Sequence, residues 1–281
     1  MDGFEPAERE PIISMGHDER VEAARRIYAQ LAQAGGAAVR EPFPPPGDAL
    51  APDEFLDRLT NTAFELHPKL RHPFAVRLVA GGWTKSQIRE WVRQDYERIV
   101  FSIRRHSLLA ANASDYETVW SLLTRVKAEA DVDPVGGTFF ALPQLWIKFG
   151  IALGLMREEI VESRPHPVLA LLHEAMLSEA RFSAALPVRD LVDAALDPVF
   201  YRLWGEALER TLALPHEALD FFWAMAADRW GEETGRTILA RRVESRESQA
   251  ALWNQYRMEA EGDREWDRLN LLQRILESPS R

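Results

Sequence analysis

Residues 84–108 read TKSQIREWVRQDYERIVFSIRRHSL, and their spacing decides the fold class. Ile88, Trp91, Val92, Tyr96, Ile99, Ile103 and Leu108 recur every three or four residues, the period of a helix with one buried face. Thr84 stands where a side-chain oxygen accepts one of the first free amides of that helix. One row along it reads Ile88, Val92, Asp95, Ile99, Ser102, His106, so a carboxylate sits in an apolar stripe. Burying it alone is costly. Two expectations follow: an ion pair with an arginine from a neighbouring helix, or a place on the wall of an internal pocket.

The same period continues on both sides. Helices are expected from Glu19 to Ala34, from Asp53 through Phe64, after His72-Pro73, from Asp115 through Val126, from Leu142 to Leu153 and from Pro167 to Leu186. Others are expected to begin at Asp197-Pro198 and at Pro215, the latter holding Phe221-Phe222-Trp223, and the last to run from Arg236 to about Leu276. No run alternates with period two, no Asn-Gly or Asp-Gly turn occurs, and no motif recurs at fixed spacing. The expected fold is an all-α bundle of roughly eight to ten helices. Seven of the 17 prolines fall within the first 52 residues, and none of the nine tryptophans precedes Trp83. Residues 1–51 are therefore read as an N-terminal extension with one helix and a proline-rich strap, Glu41 to Gly47, ahead of a helical domain over 52–281.

Composition narrows the function. The 281 residues carry 34 Lys+Arg against 44 Asp+Glu, a net charge of −10, which opposes broad phosphate-backbone binding. No stretch approaches the roughly 20 apolar residues that span a bilayer, and the acidic start MDGFEPAERE lacks the parts of a signal peptide, so a cytoplasmic protein without nucleic-acid or membrane partners is expected. The absence of cysteine removes disulfides, thiolate metal sites and cysteine nucleophiles. Phosphate-cradling and dinucleotide glycine loops, the Gly-x-Ser-x-Gly elbow, His-Glu-x-x-His and the Glu-x-x-His pair of di-iron bundles are also missing. His17 lies in the tail, His67 and His72 flank a helix junction, and His166, His173 and His216 sit near helix starts or on faces; histidines so placed read as caps, core hydrogen bonders or surface groups. His106, in the Asp95 stripe, is the exception. Two further clusters hold candidates: Lys127 to Asp133, with Glu129, and Phe221 to Gly235, where Phe221, Met225, Asp228 and Glu232 share a helical face that turns from apolar to acidic.

Several pieces taken together resemble the PqqC and TenA-like group: His72-Pro73-Phe74, Gly82 to Val92, Leu108 to Ala113, Trp146 to Leu155, Arg157 to Ile160 and Phe222 to Gly235. The resemblance covers roughly residues 55 to 270 and implies the all-α heme-oxygenase-like fold. It also implies a choice of chemistries. PqqC-like members oxidise a bound substrate with dioxygen and no metal, TenA-like members use a cysteine nucleophile, and a third group assembles two irons. The cysteine route is closed here. The metal group's His, Asp and His match Ala227, Gly231 and Thr234, and the substrate-facing arginine, tyrosine and glutamine of PqqC-like members match Asp95, Arg98 and Ile99. A family histidine matches Glu129.

The resulting expectation is a divergent PqqC-like oxidase with a pocket inside the bundle, acting on a small-molecule or peptide-derived substrate of a biosynthetic pathway. Asp95, Glu129 and His106 are the catalytic candidates. Arg98 is expected to bind an anionic group, with Trp223, Trp230 and Asp228 shaping the substrate wall. No metal and no resident cofactor are expected, and dioxygen is the co-substrate. The resemblance further implies a homodimer. Two alternatives stand beside this: an inactive paralogue serving as assembly partner of an enzyme, and a remodelled metal oxidase using Glu129, Asp131, Asp193 and Asp228.

Overall fold

The computed structural model describes residues 16–35, 42, 44–130, 141–182, 187–261 and 264–278. Its helices are α1 (His17–Gln33), α2 (Pro52–Leu66), α3 (Pro68–Arg71), α4 (Pro73–Val79), α5 (Lys85–Asn112), α6 (Tyr116–Ala130), α7 (Leu142–Ala152), α8 (Arg157–Val161), α9 (Pro167–Phe182), α10 (Val188–Leu212), α11 (Asp220–Ala227), α12 (Arg236–Ala240), α13 (Arg246–Glu261) and α14 (Arg264–Glu277). A 3₁₀ turn at His216–Leu219 precedes α11, and a π-helical turn at Gly231–Gly235 precedes α12. No strand occurs among the described residues, as the missing two-residue period implies. No helix among them is long and apolar enough to cross a membrane.

α5 begins with a capping box: Thr84 Oγ1 accepts from the Gln87 amide while the Gln87 side chain accepts from the Thr84 amide. Its 28 residues make it about 42 Å long. α10 is buried on nearly all sides, being covered by α1, α2, α4, α11 and α13. Here the structure departs from the expected start at Asp197-Pro198, because α10 runs from Val188 straight through Pro198. Proline removes only the donor for the Ala194 carbonyl, and burial of Val192, Leu196, Val199 and Phe200 on both sides holds the helix together. α1 packs on α10, α3 and α4, and its Val21, Ala24 and Tyr28 belong to the same core as the rest of the chain. The proline-rich strap falls partly outside the described residues. Trp253 Nε1 donates to the Pro44 carbonyl at 2.9 Å, which fastens the strap to α13.

α5 and α10 run in opposite senses and diverge. At one end Trp91 of α5 meets Trp204 of α10 with ring centroids 6.0 Å apart, and Phe74, Trp146 and Phe222 fill the space around them. At the other end the gap stays open. Gly231 packs directly on α10, where a Cβ would lie 2.2 Å from the Ala194 carbonyl carbon and the Ala195 nitrogen. Backbone cannot yield as a side-chain tip can, so Gly231→Ala is expected to lower the unfolding free energy by about 1–3 kcal/mol. Urea denaturation monitored by circular dichroism measures this, and an unchanged midpoint would contradict it.

Candidate functional site

The open end of the α5–α10 wedge is a chamber of about 180 Å³. Steps of three and four place Arg98, Ser102, Arg105 and His106 of α5 on one wall, and Asp190, Asp193, Asp197 and Tyr201 of α10 on another. Arg125 and Glu129 of α6, His173 of α9, Phe221 and Met225 of α11, Trp230 and Glu265 close the remaining sides, with His67 and Lys69 at the end.

Its charges are balanced, five cations (Lys69, Arg98, Arg105, Arg125, Arg189) facing five carboxylates (Glu129, Asp190, Asp193, Asp197, Glu265). Lys69 Nζ lies 2.5 Å from Asp197, Arg105 Nη2 2.6 Å from Asp190, and Arg189 Nε 2.8 Å from Asp193. Arg125 bridges two acids, donating Nε to Glu129 at 3.0 Å and pairing Nη1 with Asp228. Glu129 also accepts from Ser102 Oγ at 3.3 Å and faces His106 Nδ1 at 3.1 Å. Burial alone would raise the Glu129 carboxyl, but His106 and Arg125 more than offset it and hold it at about 2. An ionised carboxylate only accepts, so the neutral His106 ring carries its proton on Nδ1 and its lone pair on Nε2. Among the described residues, Nε2 has no hydrogen-bond partner.

Two other histidines face the chamber neutral. His67 Nδ1 accepts from the Lys69 amide at 3.1 Å, a helix cap and so one of the three roles open to it, while Nε2 stops 3.6 Å from Asp193 without a hydrogen bond. Burial, helped by Lys69, pulls its pKa down to about 3. Neither His173 nitrogen makes a hydrogen bond among the described residues, Nδ1 stopping 3.6 Å from Glu97, and burial lowers that ring to about 4. Burial pushes the Asp193 carboxyl up to about 6 despite Arg189. Sequence reasoning weighed His67 and His173 only as structural groups and left Lys69 and Arg268 aside. The paired His-Pro caps around Lys69 and the Glu265-to-Arg268 step were the available signals.

Asp95 lies beneath the chamber and does not line it. Of the two expectations, the ion pair holds: Arg268 Nη1 donates to Oδ1 at 2.6 Å, Arg98 Nη2 to Oδ2 at 3.2 Å, and Trp91 Nε1 to Oδ2 at 3.0 Å. Burial opposes ionisation, yet Arg268 and Arg98 hold the carboxyl at about 2. Arg268 in turn forms a two-pronged pair with Glu265, at 2.7 and 2.6 Å. Arg98, His106, Glu129 and Trp230 do line the chamber. Trp223 does not, because α11 turns Phe221 and Met225 inward and Trp223 faces away, stacked on His216 at 4.8 Å and covering Gly205. Asp228 is also off the wall: α11 ends at Ala227, and the Asp228 side chain caps the Trp230 amide at 3.0 Å and meets Arg125.

Among the described residues no group of three His, Asp or Glu side chains is arranged around one point. Glu129 and Asp228 share Arg125, Asp193 is taken by Arg189, and Asp131 lies outside the described residues. Gly231 leaves no room for a ligand side chain against α10. The residues present therefore do not fit the two-iron cage implied by the resemblance.

Residues 61–186 match the model of the TENA/THI-4/PQQC family. The chain is similar in structure to a domain of unknown function with a heme oxygenase-like fold from Shewanella denitrificans OS217, with a TM-score of 0.55 and 16% identity over 81% of this chain and 94% of that one. No curated protein matches the chain.

Asp95 and Glu129 are both held below their ordinary values, so the unfolded chain takes up their protons first as pH falls. Their stabilisation is complete above about pH 5 and drains away toward pH 2. Asp193, held above its ordinary value, works the other way and loses its contribution as pH rises through about 6. Asp95→Asn strips Arg268 and Arg98 of a shared counter-charge, with an expected cost of about 3–5 kcal/mol at neutral pH and a shallower fall of stability in acid. Urea midpoints taken at a series of pH values check both, and a variant matching the parent in midpoint and slope would contradict them.

Proposed function

We propose that this heme oxygenase-like chain, whose residues 61–186 match the model of the TENA/THI-4/PQQC family, belongs to the PqqC/TenA-like superfamily, and that its chamber oxidises a small polar molecule with dioxygen. The observation that carries the proposal is the Glu129–His106 pair on the wall of a charge-lined cavity. Glu129 fixes the His106 tautomer and steadies the imidazolium that forms when Nε2 accepts a proton. The electron pair left on the substrate, together with that proton and a second one from the substrate, passes to dioxygen. The substrate thereby loses two hydrogens and dioxygen becomes hydrogen peroxide. Arg98 and Arg105 offer guanidinium donors to an acidic group of the substrate, and the unpartnered nitrogens of His67 and His173 suit a hydroxyl or carbonyl at the inner end. The balanced lining favours a substrate carrying both donors and acceptors over a polyanion.

Metabolites extracted from cells lacking the gene provide the substrate pool. Chelator-treated protein added to that pool is expected to consume oxygen with one peroxide formed per dioxygen, and His106→Gln to slow this at least 100-fold. Equal rates in parent and variant, or loss of all uptake on chelation, would overturn the metal-free oxidase.

A second reading, the assembly partner, rests on a different observation. Tyr116 (77% exposed), Trp120 (62%) and Leu123 (47%) form one apolar stripe on the outside of α6. Trp120→Glu is expected to abolish co-elution with a partner encoded by an adjacent gene while leaving oxygen uptake intact. Co-elution that survives Trp120→Glu would count against it.

A further inference from the structure

α10 carries a second cavity on its other side. It also measures about 180 Å³ and lies between α1, α2, α10 and the π-helical turn. Leu56, Leu191, Val192, Ala195 and Leu239 supply the apolar part of its wall, and Arg20, Thr60, Glu232 and Arg236 the polar part.

Arg20 is out of keeping with those surroundings. Its side chain is 9% exposed, and a buried guanidinium ordinarily has most of its five donors engaged. Among the described residues Arg20 has one contact, Nη1 to Glu232 Oε1 at a long 3.5 Å. Nε is buried without a partner, and Nη2 makes no hydrogen bond. The edge bearing Nε and Nη2 is the one that grips both oxygens of a carboxylate. The other charges nearby are committed: Arg236 donates to Asp57 at 2.7 Å and to Asp53 at 3.1 Å, and Glu232 also faces Arg229 at 3.8 Å. Burial disfavours the Arg20 cation more than Glu232 and Asp57 support it. A charge left so poorly compensated in a cavity calls for an anion that the described residues do not provide.

We propose that this cavity is a binding site for a small aliphatic monocarboxylate, its head on the Nε–Nη2 edge of Arg20 and its tail against Leu56, Leu191, Val192 and Leu239. Size supports the tail, since an apolar cavity of about 150 Å³ holds a six-carbon ring. Charge supports the head. A single free guanidinium edge with Glu232 beside it matches one negative charge and repels a phosphate dianion. The site is separate from the chamber and does not depend on the chemistry proposed there.

The test is a titration of the full chain with 3-methylbutanoate, acetate and 3-methylbutanamide, following the Arg20 Nε–H resonance by NMR. Saturable shifts are expected with 3-methylbutanoate, at least tenfold weaker binding of acetate, which lacks the tail, and at least tenfold weaker binding of the amide, which lacks the charge. Arg20→Met should weaken 3-methylbutanoate binding at least tenfold with the thermal transition preserved. Thr60→Leu, which keeps Arg20 and fills the space, should do the same. No saturable shift with any carboxylate, equal binding of the amide, or binding untouched by both substitutions would overturn the proposal.

Discussion

A fully buried carboxylate between α5 and α14 organises this molecule. Asp95 is 0% exposed and is gripped by Arg268 from α14, by Arg98 one turn along α5, and by the indole of Trp91 one turn before it. A charge so placed cannot be left short of partners, so α14 must lie where Arg268 reaches it. The same grip sets Arg98 between the floor and the chamber, and Glu265, clamped on Arg268, forms part of the chamber wall. Glu265, Arg268, Asp95 and Arg98 thus form one alternating chain of charges that runs from the core into the site.

The site itself is a product of divergence between two long helices. Aromatic rings wedge α5 and α10 apart at one end and seal it, while ionic pairs across the other end hold it open. Within a few ångströms the environment drives like groups in opposite directions. Glu129 is held at about 2 by His106 and Arg125, whereas Asp193 is raised to about 6 by burial. Separating the titrations of similar groups is how a protein assigns acid and base roles at one pH. The neutral His67 and His173 add donors and acceptors without adding charge.

Much of the fold could be read from residue spacing. The Thr84 cap, the long α5 and the absence of strands follow from local pattern alone, and the need of Asp95 for an arginine follows from the cost of burying charge. Which arginine could not be read, because Arg268 is 173 positions away and lies beside Asp95 only through tertiary packing. Pro198 misled for a related reason, since burial on both sides of α10 outweighed a lost hydrogen bond. Asp228 was placed on the wall by extending one helical phase across Phe221 to Gly235, and Trp223 was placed there against that phase. That phase puts Trp223 about 200° from Phe221, and it ends at Ala227, where the chain turns out of the helix. A cap was one of three roles open to His67 and is the one its Nδ1 takes, but the exposure of its other nitrogen to a cavity is a property of the assembled fold.

The chemistry depends on which nitrogen of His106 holds the proton. Long-range ¹H–¹⁵N correlation on histidine-labelled protein, above the pH at which the ring is charged, reads this directly. The account predicts a proton on Nδ1, directed at Glu129, with an unprotonated Nε2 whose resonance responds to a chamber ligand. A ring protonated on Nε2 would contradict it, since His106 would then present a donor and not a base to the chamber.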